Sequence, residues 1–273
     1  MRTLIGKVLL YAALLIGAFL ALLPMIWMIS ASLMPAGEAT SYPPRLVPST
    51  ITFDHYRAVF TGLNMRRYLV NSTVIAITVT AVSLFINSMA GYAFAKLRFR
   101  GRDRLFRFLG AGLVIPVQVA MLPLFLLMKQ LGLINTYWGV IIPTLASIFG
   151  IFLIRQYALA IPDDLLDAAR VDGASEFRIY RSVVLPVITP ILATMAIWTF
   201  LTTWNDFMWP LIVLSDDSKY TLPVALANLS GEHVQDTELM MAGSVMTVVP
   251  VLLVFLALQR YYIAGITGGA VKG

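Results

Sequence analysis

The sequence predicts an all-α membrane protein with six transmembrane helices, and two observations carry that prediction. Of the 273 residues, 59% are hydrophobic and only 12% are charged, with a mean hydropathy of +0.82, whereas globular chains carry about 25% charged residues. The apolar residues are also gathered into six uncharged runs, at 8–33, 68–95, 108–128, 137–154, 182–205 and 239–259. About 20 helical residues cross a hydrocarbon layer of roughly 30 Å. All but one of the runs reach that length comfortably; 137–154 is the marginal one.

Each run has its own punctuation. Arg2 and Lys7 precede the first, but its apolar stretch is longer than the 7 to 15 residues of a secretory signal core, so it reads as a retained span. The segment Met34 to Arg67 carries Pro35, Pro43, Pro44 and Pro48, which suits an irregular loop followed by a short amphipathic stretch near 53–60. The third run contains Pro116 and Pro123, the fourth Pro143, the fifth Pro190 and the sixth Pro250. Backbone groups freed by such prolines must be satisfied by neighbouring helices or by water. They mark either packing kinks or a solute path lined by broken helices. Between the last two runs, roughly 215–238, lies a polar segment with Asp216, Asp217, Glu232, Asp236 and Glu238, expected as a solvated loop with a short helix.

Charge sets the orientation. Arg2, Lys7, the cluster from Lys96 to Arg107, Arg155, Arg170, Arg178, Arg181, Arg260 and Lys272 fall on one side of the six spans and make up 14 of the 20 basic residues. By the positive-inside bias this side, with both termini, is expected in the cytoplasm. The cluster Lys96 to Arg107 reads as a solvated loop facing lipid headgroups. The net charge of +6 is therefore explained by topology and not by nucleic acid. Three parts are expected: residues 1–67 with the first span and an extracytoplasmic loop, a five-helix core over 68–262, and a cytoplasmic tail over 263–273.

The most informative segment joins the fourth and fifth runs. Ile161-Pro162-Asp163-Asp164-Leu165-Leu166-Asp167-Ala168-Ala169-Arg170-Val171-Asp172-Gly173-Ala174-Ser175 reads as one short helix and the start of a second. Pro162 suits the first turn, where its missing N–H is harmless. Asp163 and Asp164 meet the positive end of the helix dipole, Gly173 ends the helix in the left-handed region, and Ser175 caps the next. Leu165, Ala168, Ala169 and Asp172 recur at helical spacing, a face of small side chains. Such a face fits either a partner protein or the membrane surface.

The string DAARVDGASEFRIYRSVVLP, over 167–186, resembles the EAA loop of ABC importer permeases, in which Glu-Ala-Ala is followed four residues later by Gly and then by Leu-Pro. Here the triplet is Asp167-Ala168-Ala169, with Gly173 and Leu185-Pro186; Asp167 stands where the family has Glu. Asn71-Ser72, Gly91-Tyr92-Ala93-Phe94-Ala95, Trp204-Asn205-Asp206-Phe207 and the ending Gly268-Gly269-Ala270-Val271-Lys272-Gly273 are similar to permeases of maltose-type carbohydrate importers. This resemblance implies a type I ABC importer permease fold in a bacterial inner membrane, translocating a sugar or sugar-like solute by alternating access. It also implies coupling to a separate ATPase through 161–186, using Leu165, Asp167, Ala168, Ala169, Asp172, Gly173 and, in the tail, Lys272. The implied partners are a second homologous permease, two ATPase subunits holding ATP and Mg, and an extracytoplasmic solute-binding protein. The first span would wrap the second permease.

What the chain lacks fits that division of labour. It has no G-x-x-x-x-G-K-[ST] phosphate loop and no cysteine for a disulfide, thiolate metal site or thiol nucleophile. Its two histidines, His55 and His233, are not in metal-ligand spacing and are expected at the surface. An enzyme acting on a lipid-linked sugar would want a cluster of carboxylates or basic residues at a membrane face, whereas the acidic residues here fall in the 161–186 loop and the external loops, and a purely structural subunit would not need a polar-dotted interior. Solute-pathway candidates are Asn87, Gln118, Trp198, Trp204, Asn205 and Asp206. Asp206 lies 18 residues beyond Ile188, about 27 Å along a helix, and therefore near the outer interface. It serves there either as a helix-capping group or as a solute contact.

Overall fold

The computed structural model describes residues 2–43, 45–62, 64–232 and 236–270. Among them the chain forms α-helices and short 3-10 or π turns, without strands. In order they are α1 (Arg2–Ala31), α2 (Asp54–Gly62), α3 (Met65–Lys96), α4 (Arg102–Ala111), α5 (Val117–Gln130), α6 (Tyr137–Ile141), α7 (Ile148–Leu159), α8 (Asp163–Val171), α9 (Glu176–Ile179), α10 (Leu185–Trp204), α11 (Met208–Val213), α12 (Leu222–Glu232) and α13 (Thr237–Ala270).

Five segments are long and apolar enough to cross a membrane: Gly6–Ala31, Met65–Lys96, Tyr137–Leu159, Glu176–Trp204 and Thr237–Ala257. The remaining expected span, the third, is bent. Its two parts, Arg102–Val114 and Val117–Gln130, meet at 107° across Ile115 and Pro116, both extended. Proline cannot donate to the preceding turn and keeps its neighbour extended, so the apolar run continues while the helix does not.

Two other spans differ in detail from the apolar runs. The fourth is longer than 137–154, because it continues through Arg155, whose Nε donates to the Phe94 carbonyl at 3.2 Å and whose guanidinium lies 4.1 Å from the Phe106 ring centre. It is also broken between α6 and α7. Asn87 satisfies the break: its Oδ1 accepts from the Ser147 N–H at 3.1 Å while its Nδ2 donates to Ser83 Oγ at 2.8 Å. The fifth starts earlier than Ser182, since α9 runs through a π turn at Tyr180–Val184 into α10.

The chain divides into two compact units. One comprises Met1–Arg67 and Ala225–Pro250. Its loop after α1 is irregular, as expected, but tightly held: Ala31, Met34 and Ala39 pack with Trp27 and Met241, and the Ala39 N–H donates to Glu238 Oε1 at 2.7 Å. Glu238 is thus buried in the first turn of α13 and not part of a solvated loop. His55 is likewise buried, with Nε2 3.0 Å from the Met34 carbonyl. The surface expectation fails for it because α2 packs this face inward; His233 lies outside the described residues.

The other unit comprises Tyr68–Val224 and Val251–Gly273. In it Asn71 and Ser72, at the start of the second span, pin the 215–222 segment. Asn71 Nδ2 donates to the Ser218 and Tyr220 carbonyls at 3.1 and 2.9 Å, and Ser72 Oγ accepts from the Leu222 N–H at 2.7 Å. Further along α3, Gly91 sits where a Cβ would lie 2.7 Å from Ile154, so only glycine lets these two spans approach so closely.

Candidate functional site

The segment between the fourth and fifth spans folds as a short helix anchored at both ends. Pro162 occupies the position just before α8, one residue earlier than expected. Gly173 has φ +78°; its N–H donates to the Arg170 carbonyl and the Ala174 N–H to that of Ala169, each at 3.0 Å. These are the two bonds of a Schellman motif. Ser175 then caps α9, its hydroxyl accepting from the Arg178 N–H. Leu166 is the anchor, fully buried with Ile161, Ile179, Tyr180 and Val184.

The opposite side of α8 is open. Leu165, Ala168 and Asp172 are exposed as the spacing predicts, and so are the apolar Val171 and Phe177. Ala169 departs from this face. It is half-buried and packs against the Leu166 cluster, because it follows Leu166 by three residues and lies on the inward side of the helix.

A charged network fixes the helix from below. Arg170 binds Asp167 at 2.7 Å and Glu176 at 2.8 Å, and Glu176 accepts from the Tyr92 hydroxyl at 2.6 Å. Asp167 is thus engaged within the chain. The two carboxylates hold the Arg170 guanidinium above its ordinary pKa. Lys96, expected in a solvated loop, is nearly buried: its Nζ donates to the Ile161 carbonyl at 2.6 Å and to Asp163 Oδ1 at 2.7 Å. Lysine there satisfies carbonyls left free at the end of α7, and its hydrogen bond keeps the Asp163 carboxyl below the usual carboxylate range. Lys96, Asp163, Asp167, Arg170 and Glu176 line one cavity of 830 Å³.

The pathway candidates do not form one cluster. Asn87 is buried and committed to the break before α7. Gln118 is exposed in the first turn of α5, just past the bend. Trp198 is exposed, its ring 6.1 Å from that of Phe149, and Trp204 is buried and stacks on Phe200 at 5.6 Å. Asn205 donates to the Leu201 carbonyl at 2.8 Å. Asp206 accepts from the Trp209 N–H at 3.4 Å, so the Trp-Asn-Asp string builds the turn from α10 into α11.

Burial pushes the Asp206 carboxyl above the usual range, against the opposing hydrogen bonds from the Trp209 and Met208 N–H groups. The folded state then holds the proton at pH values where the unfolded chain has lost it, so this group lowers stability as pH rises above about 4. Asp206→Asn keeps an acceptor oxygen and removes the titration. Its melting temperature at pH 7 should equal or exceed the parent's and change less between pH 4 and 7. A variant that melts clearly below the parent at pH 7 would show that the carboxylate itself is required.

Residues 87–267 match the family model described as the binding-protein-dependent transport system inner membrane component. The chain belongs to that family. It is 42% identical to the arabinooligosaccharides transport system permease protein AraQ of Halalkalibacterium halodurans, over 94% of this chain and 93% of that protein. It is 33% identical to the lactose transport system permease protein LacG of Rhizobium radiobacter, over 94% of each. A chain from the crystal structure of a bacterial ABC transporter that imports the acidic polysaccharide alginate matches with a TM-score of 0.84 at 27% identity, covering 94% of this chain and 96% of that one. The resemblance read from the EAA-like loop and the type I permease fold both stand. The permease is a multi-pass, non-catalytic membrane subunit.

Sequence reasoning missed the permease's inner contacts at this loop. Of the adjacent pair Leu165 and Leu166, spacing alone could not say which is anchor and which is surface.

Proposed function

We propose that this permease translocates an oligosaccharide or related sugar inward by alternating access, and that the 161–186 segment receives the motion of a separate ATPase. The observation that carries this reading is the exposed face of Leu165, Ala168 and Asp172 on a helix whose other side is locked by Leu166, Lys96 and Arg170. A rigidly mounted, small-residue surface transmits a push; a loosely held one absorbs it. The relatives, arabinooligosaccharide and lactose permeases, support a sugar as cargo. A second permease, two ATPases holding ATP and Mg, and an extracytoplasmic solute-binding protein complete the assembly. Conformational change then arises from differential contacts of those partners with two states, not from chemistry in this chain. Asn87, Gln118, Trp204, Asn205 and Asp206 are retained as pathway residues, and Lys272, outside the described residues, as part of the ATPase contact.

The test is reconstitution with the ATPase and binding protein in vesicles. ATP-dependent uptake of labelled arabinooligosaccharides is expected, and none without the ATPase. Uptake in the absence of any ATPase would sink the reading. Both termini are proposed to be cytoplasmic. Because the chain has no cysteine, a single thiol introduced at Ser175 reports topology cleanly: it should resist an impermeant maleimide in intact cells and react after permeabilisation. Labelling in intact cells would reverse the orientation.

A further inference from the structure

Between the second span and the bent pair, the chain forms an open cavity of 740 Å³ lined by Arg98, Arg100, Arg102, Arg104 and Arg107 with one acid, Asp103. Asp103 is already used: its carboxylate binds Arg102 at 3.0 Å, and its carbonyl accepts from Arg107 at 3.3 Å. Arg102 also reaches the Leu97 carbonyl. The guanidiniums of Arg100 and Arg104 carry no hydrogen bond or ion pair among the described residues. The chain turns through Gly101 (φ +83°) into α4, which begins without a side-chain cap, so the first-turn N–H groups have no side-chain acceptor among the described residues. Leu105 and Phe108, three residues apart, are exposed on α4, Phe108 at 77%.

Five guanidiniums over one acid leave the cavity strongly anion-selective, and the adjacent exposed apolar pair is what separates a lipid from a free anion. A soluble phosphate offers nothing to Leu105 and Phe108, whereas the acyl chains of a phospholipid do. The segment leads directly out of a membrane span ending at Lys96, the depth at which headgroups lie. We propose that this cavity is a binding site for the headgroup of an anionic phospholipid, with Arg100 and Arg104 on the phosphate and Leu105 and Phe108 against the acyl chains.

The full chain, purified in neutral detergent, would be examined by native mass spectrometry with added phosphatidylglycerol or phosphatidylcholine. The parent should retain phosphatidylglycerol preferentially. Arg100→Gln with Arg104→Gln should lower that retention about thirtyfold, the loss expected for two interfacial arginines, while Arg100→Lys with Arg104→Lys should recover most of it. Arg57→Gln with Arg66→Gln removes the same charge elsewhere and should change nothing. Unchanged retention in the Arg100/Arg104 glutamine variant overturns the site. Equal loss in both glutamine pairs overturns it in favour of net charge, and displacement of the lipid by inorganic phosphate overturns it in favour of a free-anion site.

Discussion

Replacing Gly173 by valine is expected to reduce ATP-driven uptake about tenfold or more while membrane abundance stays normal. A Cβ at this position would meet open space, so the cost is torsional and not steric against the rest of the protein. At φ +78° an L-residue pays about 1–2 kcal/mol, and a β-branched one lies at the upper end or beyond. The two Schellman bonds close only in that conformation. Once they open, Ser175 no longer caps α9, and Glu176 is no longer presented to Arg170 and Tyr92. Each 1.4 kcal/mol against the competent arrangement lowers its population tenfold. The substitutions should fall in order: Asn, which tolerates the left-handed region, should retain more uptake than Ala, and Ala more than Val. Equal activities for Asn and Val would remove backbone conformation as the cause.

What could be read from the sequence follows from the range of the forces involved. Hydropathy runs found every crossing segment, because a hydrocarbon layer imposes its length on any helix within it. The helix stop at Gly173 and the cap at Ser175 were legible because they are local chemistry, settled within five residues of chain. The 107° bend at Pro116 was only half legible. Proline announced a break, but nothing local says whether neighbours straighten or fold the run. Least legible were contacts made across long separations. Glu238 reads as a loop acid until Ala39 is brought to it from 199 residues away, and Lys96 reads as an orienting charge until the end of α7 and Asp163 arrive beneath it. The Asn71-Ser72 pair was recognisable as a motif, yet its job of holding the 218–222 backbone is visible only in three dimensions.

The same distinction separates two neighbouring alanines, and it yields the second large effect. Ala168→Trp is expected to abolish co-purification of the ATPase and transport with it, leaving the permease's abundance and melting temperature unchanged. Ala168 is exposed beside Leu165 and Asp172, so an indole there burdens no internal packing and occupies only the space a docking surface needs. Ala169→Trp should behave differently. Its side chain faces the Leu166 cluster, where overpacking costs about 1–3 kcal/mol, so lower thermal stability should accompany any loss of docking. Asp167→Ala should be mild in both respects, since a largely exposed pair is worth about 0–1 kcal/mol and Arg170 keeps Glu176. Measuring ATPase co-purification and melting temperature on the three variants together separates the roles. Full ATPase binding by Ala168→Trp would mean that this face of α8 is not where the partner docks, however well the helix behind it is held.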